Sequence, residues 1–141
     1  MAKQKSLHDI DTFDDAKLEA LIEIMVLAAS ADGEFQPEER ERLERSISAF
    51  APDRFGSGKL STLLGTVEAR AKTEGREARL ASVKKTLGDP TACKVALELA
   101  IQVTMADGVI RTSERELILE TAEALEIDRD VAADLVKAAT R

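Results

Sequence analysis

Residues 31–41 read Ala-Asp-Gly-Glu-Phe-Gln-Pro-Glu-Glu-Arg-Glu, and residues 106–116 read Ala-Asp-Gly-Val-Ile-Arg-Thr-Ser-Glu-Arg-Glu. The two stretches align without a gap and share six identical residues in the pattern Ala-Asp-Gly-x-apolar-x-x-x-Glu-Arg-Glu. An apolar stretch with helical spacing precedes each copy, and a second one follows it. This self-similarity predicts an internal duplication of a helix–loop–helix unit.

The apolar periodicity outside the two copies is also helical. A first helix is predicted from about residue 14 to residue 31, where Asp32-Gly33 ends it because glycine accepts the left-handed conformation that closes a helix. Pro37 is predicted to open the second helix, and Asp89-Pro90 to open the fifth as an N-cap followed by a first-turn proline. The predicted inward stripe of the first helix is Leu18, Leu21, Ile22, Met25 and Ala29.

The pattern as a whole predicts an all-α, single-domain bundle of about seven helices. Repeat one covers about residues 14–51 and repeat two about residues 89–126, related by a pseudo-twofold axis. The fifth helix is apolar nearly all round, which is typical of a central element. We expect it to form the central pair with the first helix. Residues 1–12 are polar and are predicted to be a flexible N-terminal tail ahead of a domain at 13–141.

Charge and composition exclude several function classes. The net charge of −7 argues against nucleic-acid binding, because phosphate recognition needs clustered cations. The one basic run alternates with glutamates and is interpreted as a solvated helical face; it contains Arg70, Lys72, Arg76, Arg79, Lys84 and Lys85. No apolar run approaches the ~20 residues that span a bilayer, so direct membrane insertion is not expected. The single cysteine, Cys93, fits a reducing cytoplasm and is expected to be a small buried side chain.

Two carboxylate pairs have the same spacing in the two copies. Asp32 and Glu39 are seven residues apart, as are Asp107 and Glu114. Each glutamate stands four residues before an apolar residue of its helix, so it is predicted to lie on the inward stripe near the helix N-terminus. A carboxylate in that position is costly unless it is paired, hydrogen-bonded or bound to a metal.

The same spacing occurs in the second half of an EF-hand loop, where Asp is fifth, Gly sixth and Glu twelfth. A full EF-hand is excluded, because Ala28 and Val103 occupy the first ligand place. The remaining oxygen ligands are enough for a weak hard-cation site, strengthened by Glu34 in the first copy, where the second has Val109. We expect a divalent cation, with Ca²⁺, Mg²⁺ and Zn²⁺ all open, at Asp32, Glu34, Glu39, Asp107 and Glu114.

A second interpretation assigns these carboxylates only to helix capping. Asp32 could bond the amides of its own loop, and Glu39 could favour a helix N-terminus through capping and the dipole. Residues Ser113 to Glu116 also have the spacing of a capping box. The two interpretations are compatible.

The paired motifs at 31–39 and 106–114, with the helix ending Leu-Glu-Ile before Asp128, resemble the tellurite-resistance TerB-like family. The resemblance covers most of the chain, from about Asp14 to Ala139. It implies an all-helical fold whose acidic motifs bind divalent metal, and roles in bacterial tellurite and general stress responses. It also implies work alongside membrane-linked complexes, and a related domain occurs in a membrane-anchored J-domain co-chaperone.

These observations favour a non-enzymatic, cytoplasmic interaction module with a protein partner and a weak divalent-cation site. The chain is not expected to be an enzyme, because it offers no Ser/His/Asp arrangement, no phosphate-binding loop and only one histidine, His8, in the predicted tail. Two alternatives stay open. The first is a purely structural adaptor whose acidic motifs only cap helices, and the second is a metal-dependent hydrolase.

Overall fold

The computed structural model describes residues 13–30, 35–51, 54–55, 58–104 and 112–139. These residues form one all-α domain of seven helices without a strand, which confirms the predicted fold class. The helices are α1 (Asp15–Ala29), α2 (Pro37–Phe50), α3 (Lys59–Glu74), α4 (Arg76–Leu87), α5 (Pro90–Thr104), α6 (Thr112–Ala124) and α7 (Arg129–Ala139). The internal repeat and its pseudo-twofold axis stay predictions, because the Asp-Gly loops at 31–34 and 105–111 lie outside the described residues. The predicted tail at 1–12 lies outside them as well.

Helix α1 is the centre of the domain. It packs against α3, α4, α5 and α6, and eleven of its fifteen residues are buried. The predicted five-residue stripe therefore understates its burial, since Ala20, Ile24 and Val26 on the other faces are buried too. Each fully buried Leu or Ile contributes about 1.5–3 kcal/mol, so this helix supplies a large share of the hydrophobic stabilisation. Helix α5 packs beside α1 as predicted.

Side chains fix where the described helices begin and end. The Asp14 carboxylate accepts from the Lys17 N–H at 2.9 Å, and Asp89 accepts from the Ala92 N–H at 2.8 Å, which confirms the N-cap predicted ahead of Pro90. Helix α2 begins at Pro37, as predicted. Helix α1 ends at Ala29, two residues before its predicted end, and the Asp32-Gly33 pair predicted to close it lies outside the described residues.

Gly75 separates α3 from α4. Its φ of +91° lies in the region that favours glycine. This backbone conformation lets the chain change direction between the two helices within one residue. The break directs Arg79 of α4 towards the central helix. There the guanidinium binds both carboxylate oxygens of Glu23, with Nη2 to Oε1 at 2.8 Å, and contacts Glu74 of α3 at 3.0 Å. The solvated-face interpretation is therefore wrong for Arg79, whose side chain is only 11% exposed.

Helices α6 and α7 form a hairpin over the end of α5. The N–H groups of Glu126 and Ile127 donate to the carbonyls of Glu123 and Ala122 at 3.0 and 2.8 Å, a Schellman arrangement with Glu126 at φ +60°. The buried residues between α5, α6 and α7 are Leu97, Ile101, Ile118, Ala122, Ala132 and Val136. At the other end of the hairpin, the predicted capping box from Ser113 is wrong, because α6 begins at Thr112 and Ser113 lies inside its first turn.

Candidate functional site

The structure describes two of the five predicted cation ligands, Glu39 and Glu114. Asp32, Glu34 and Asp107 lie outside the described residues. The two glutamates occupy equivalent sequence positions, in the first turns of α2 and α6. Their environments differ, and the difference bears on what each can do.

Glu39 acts at the N-terminus of α2. Its Oε1 accepts a hydrogen bond from the backbone N–H of Gln36, the N-cap residue, at 3.1 Å. This bond satisfies one of the N–H groups that have no partner within the helix, and it places a negative charge at the positive end of the helix dipole. The side chain is half-buried, so its predicted inward position is realised only in part.

Glu114 is buried in the first turn of α6, with 7% of its surface exposed. The buried Leu117 and Ile118 follow it on the same helix, which confirms the predicted inward position. Transfer of a carboxylate to such a position is unfavourable without compensating interactions. Of Glu39 and Glu114, the second is therefore the more deeply buried.

Arg40, the motif arginine after Glu39, links α2 to α3. Its Nη2 donates to the Ser61 carbonyl at 3.0 Å, its Nη1 lies 3.5 Å from Glu68, and its guanidinium lies 6.0 Å from the centre of the Phe35 ring. Its counterpart in the second motif, Arg115, is exposed on α6. The same sequence position is thus a packing contact in one motif and a surface charge in the other.

Metal coordination at these positions cannot be assembled from the described residues alone. Among them, no group of three or more His, Cys, Asp or Glu side chains is placed to hold a metal ion. The predicted ligand sets each need an aspartate from a loop, Asp32 or Asp107, that lies outside the described part. Oxygen donors of this kind suit hard cations such as Ca²⁺ and Mg²⁺.

The strongest electrostatic feature of the described core was not predicted from the sequence. The Glu23 carboxylate is 5% exposed and the Arg79 side chain 11%, so this ion pair is largely removed from water. The hydrogen bonds that Arg79 donates to Glu23 raise the pKa of Arg79, against the opposing effect of burial. One signal was available, because Glu23 interrupts the apolar run Leu21-Ile22-Glu23-Ile24-Met25 and a charge in that position needs a partner.

Within the described part of the chain, every helix is too short or too polar to cross a bilayer.

A family model described as tellurite resistance protein TerB matches residues 18–137, which include both Asp-Gly motifs and all but the ends of the seven-helix domain. A search of curated proteins and a search of solved structures each found no match.

Proposed function

Since the chain belongs to the TerB family of tellurite resistance proteins, we propose that it is a non-enzymatic interaction module of a bacterial stress response with a divalent-cation site. Membership of the family supports a tellurite-resistance-like module. The cation site is supported by the chemistry and spacing of the motif carboxylates, since Glu114 lies in the first turn of α6, seven residues after Asp107, as Glu39 lies in the first turn of α2, seven residues after Asp32. Carboxylate oxygens are the ligands that hard cations prefer.

The proposed ligands are the paired carboxylates of each motif. Asp32, Glu34 and Glu39 would bind in the first, and Asp107 and Glu114 in the second. A cation that binds only the folded chain stabilises it by RT ln(1 + [L]/Kd), which amounts to about 2.7 kcal/mol when the ligand is at one hundred times Kd. Binding would fix the conformation of the loop and present the adjoining helix in one orientation to a protein partner.

We place the module in the cytoplasm, with a protein partner that can belong to a membrane-linked complex. The cysteine usage and the net charge of −7 support this proposal, because one buried thiol suits a reducing compartment and an acidic surface disfavours nucleic acid.

The test is an NMR titration of the metal-stripped chain with Ca²⁺, Mg²⁺ and Zn²⁺ in turn. We expect saturable amide shifts confined to residues 31–41 and 106–116, and their loss in the double variant Asp32→Asn with Asp107→Asn. The matched control is Glu77→Gln with Asp134→Asn, which removes the same charge from two exposed helix positions. Shifts that persist in the first variant, or that vanish equally in both, would show that the site assignment is wrong.

A second candidate function is supported by the hydrogen bond from Gln36 to Glu39 at 3.1 Å. In this alternative the motif carboxylates only cap helices, and the chain is a purely structural adaptor. It predicts no cation-dependent shift up to millimolar concentration. It also predicts that Glu39→Gln, which keeps an acceptor at this position, leaves stability nearly unchanged, while Glu39→Ala lowers it by about 0.5–2 kcal/mol.

A further inference from the structure

A groove runs along the surface of the α6–α7 hairpin. Its larger part, about 440 Å³, has an apolar floor of Leu119, Ala122 and Ile127. Its smaller part, about 270 Å³, continues past Leu119 to Ala133 and Val136 of α7. Because Leu119 lines both parts, the two form one continuous surface, which we term the α6–α7 groove.

The groove has the size and chemistry that suit a helix. Its walls extend over residues 115 to 123 of α6, which at 1.5 Å per residue correspond to about 12 Å, or roughly two turns of a helix lying alongside. Leu119 and Ile127 are only half-buried and Ala133 is exposed, so apolar area remains to be covered. An amphipathic helix fills such a groove with side chains spaced i, i+3 or i+4, and i+7.

The charges around the groove differ between its two parts. The larger part is bordered by Glu116, Glu120 and Glu123 against one cation, Arg129. Glu120 already binds Arg76 at 3.2 Å, whereas Glu116 and Glu123 are exposed and form no ion pair within the described residues. The larger part therefore has an excess of negative charge.

The smaller part is bordered by Arg115 and Lys137. No acidic side chain lines this part among the described residues. The groove is thus acidic around its larger part and basic around its smaller part.

We propose that the α6–α7 groove binds an amphipathic helix of a partner protein, with basic residues over the larger part and acidic residues over the smaller. Charges at the rim of an interface contribute chiefly to orientation and to the choice of partner, while the apolar floor supplies affinity. The proposal rests on the interaction-module part of the proposed function. It does not require the cation site, because none of the residues it uses is a proposed cation ligand.

The probe is a 14-residue designed peptide with a leucine stripe at helical spacing, lysines near one end and glutamates near the other. Binding is measured by calorimetry and by NMR shifts, once in EDTA and once with Mg²⁺. We expect saturable shifts at residues 112–139. A spin label at the lysine end should broaden amides near Glu123 and Arg129 more strongly than those near Lys137.

Two pairs of variants test the surface itself. Ala133→Trp fills the groove from an exposed position without removing a core contact and should weaken binding at least tenfold, while Ala138→Trp, exposed on the same helix but outside the groove, should not. Glu116→Lys with Glu123→Lys should weaken binding about tenfold, since two rim pairs are lost and replaced by repulsion. The control Glu41→Lys with Glu77→Lys changes net charge equally at exposed positions away from the groove.

Several results would overturn the proposal. If the groove variant and the control variant with reversed charges weaken peptide binding equally, the weakening is due to net charge and not to the groove. No saturable binding in either EDTA or Mg²⁺ would remove the groove as a helix site, while cation-dependent shifts at the Asp-Gly motifs would be unaffected. A chain that sediments as a dimer without peptide, and becomes monomeric on Ala133→Trp, would show that a second copy occupies the groove instead.

Discussion

Replacing Arg79 by Met removes the charge that balances Glu23 while keeping most of the apolar stem that packs beside α1. Glu23 is 5% exposed and Arg79 11%, and the guanidinium binds both oxygens of the carboxylate. Removal of one partner from a buried ion pair costs about 3–5 kcal/mol, because the remaining charge stays out of water without compensation. We expect this loss in the free energy of unfolding of Arg79→Met.

The corresponding change in melting temperature follows from the size of the chain. Unfolding entropies near 2.1 cal/mol/K per residue give about 0.3 kcal/mol/K for a domain of this length, so the variant should melt about 10–17 °C lower. Thermal and urea unfolding followed by circular dichroism measure both quantities. A loss of this size is a large part of the about 5–15 kcal/mol that stabilises a typical domain.

Arg70→Met is the matched control. Arg70 of α3 lies 3.6 Å from Glu19 of α1, but the two side chains are 41% and 46% exposed, and exposed pairs contribute less than about 1 kcal/mol. The double variant Glu23→Leu with Arg79→Met should recover most of the loss, since it removes both buried charges. Equal destabilisation by Arg79→Met and Arg70→Met, or no recovery in the double variant, would refute the reasoning.

Three further outcomes follow from single positions. Asp89→Ala removes the cap of α5 and should cost about 0.5–2 kcal/mol in urea unfolding, with no change in the m-value. Gly75→Ala should cost about 1–3 kcal/mol because φ there is +91°, whereas Gly65→Ala, inside α3, should cost less, since its backbone is helical and its Cβ meets one side-chain atom, Arg40 Nη2, at 3.2 Å. Burial, with the Asp89 charge second, raises the pKa of the Cys93 thiol in the folded state. The contribution of this thiol to the free energy of unfolding is therefore full below the unfolded pKa of about 8.5, and it falls as pH rises through the folded pKa. Unfolding measurements on the unmodified chain and on Cys93→Ala between pH 7 and 10 isolate this pH dependence.

Local chemistry made much of this fold predictable from the sequence. Pro37 begins a helix because its fixed φ suits a first turn, and Asp89 caps one because its carboxylate reaches an N–H three residues on. Gly75 breaks a helix because it accepts a backbone conformation that other residues avoid. Each of these signals operates within a few residues, so no tertiary information is needed to interpret it.

The environment of Arg79 was not predictable in the same way. It lies 56 residues from Glu23 in the chain, and its neighbours in sequence, Glu77 and Lys84, alternate in sign as on an exposed helix face. Only the packing of α4 against α1 reveals that this one position points inward. Periodicity identifies the face of a helix, but it does not identify the charge that a neighbouring helix requires.

The two motif glutamates show the same limit of prediction from local sequence. Glu39 and Glu114 have identical local sequence, Glu-Arg-Glu, yet one is half-buried and caps its helix while the other is 7% exposed. The reason lies in what each helix packs against. Helix α2 has α3 as its neighbour and is attached to it by Arg40, whereas α6 lies between α1, α4, α5 and α7 and is turned further into the core.

The two motifs therefore differ in the surface that they leave exposed to a partner. In the first, the motif arginine forms contacts with α3, so the surface of α2 is partly used for holding the domain together. In the second, Arg115 is left exposed beside the smaller part of the α6–α7 groove, and the acidic side chains Glu116 and Glu123 border the larger part. The shared sequence Glu-Arg-Glu thus stabilises the fold in one place and forms the edge of a surface in the other. If the chain binds a partner helix, the physical asymmetry of the two motifs indicates that the second is the one that meets it.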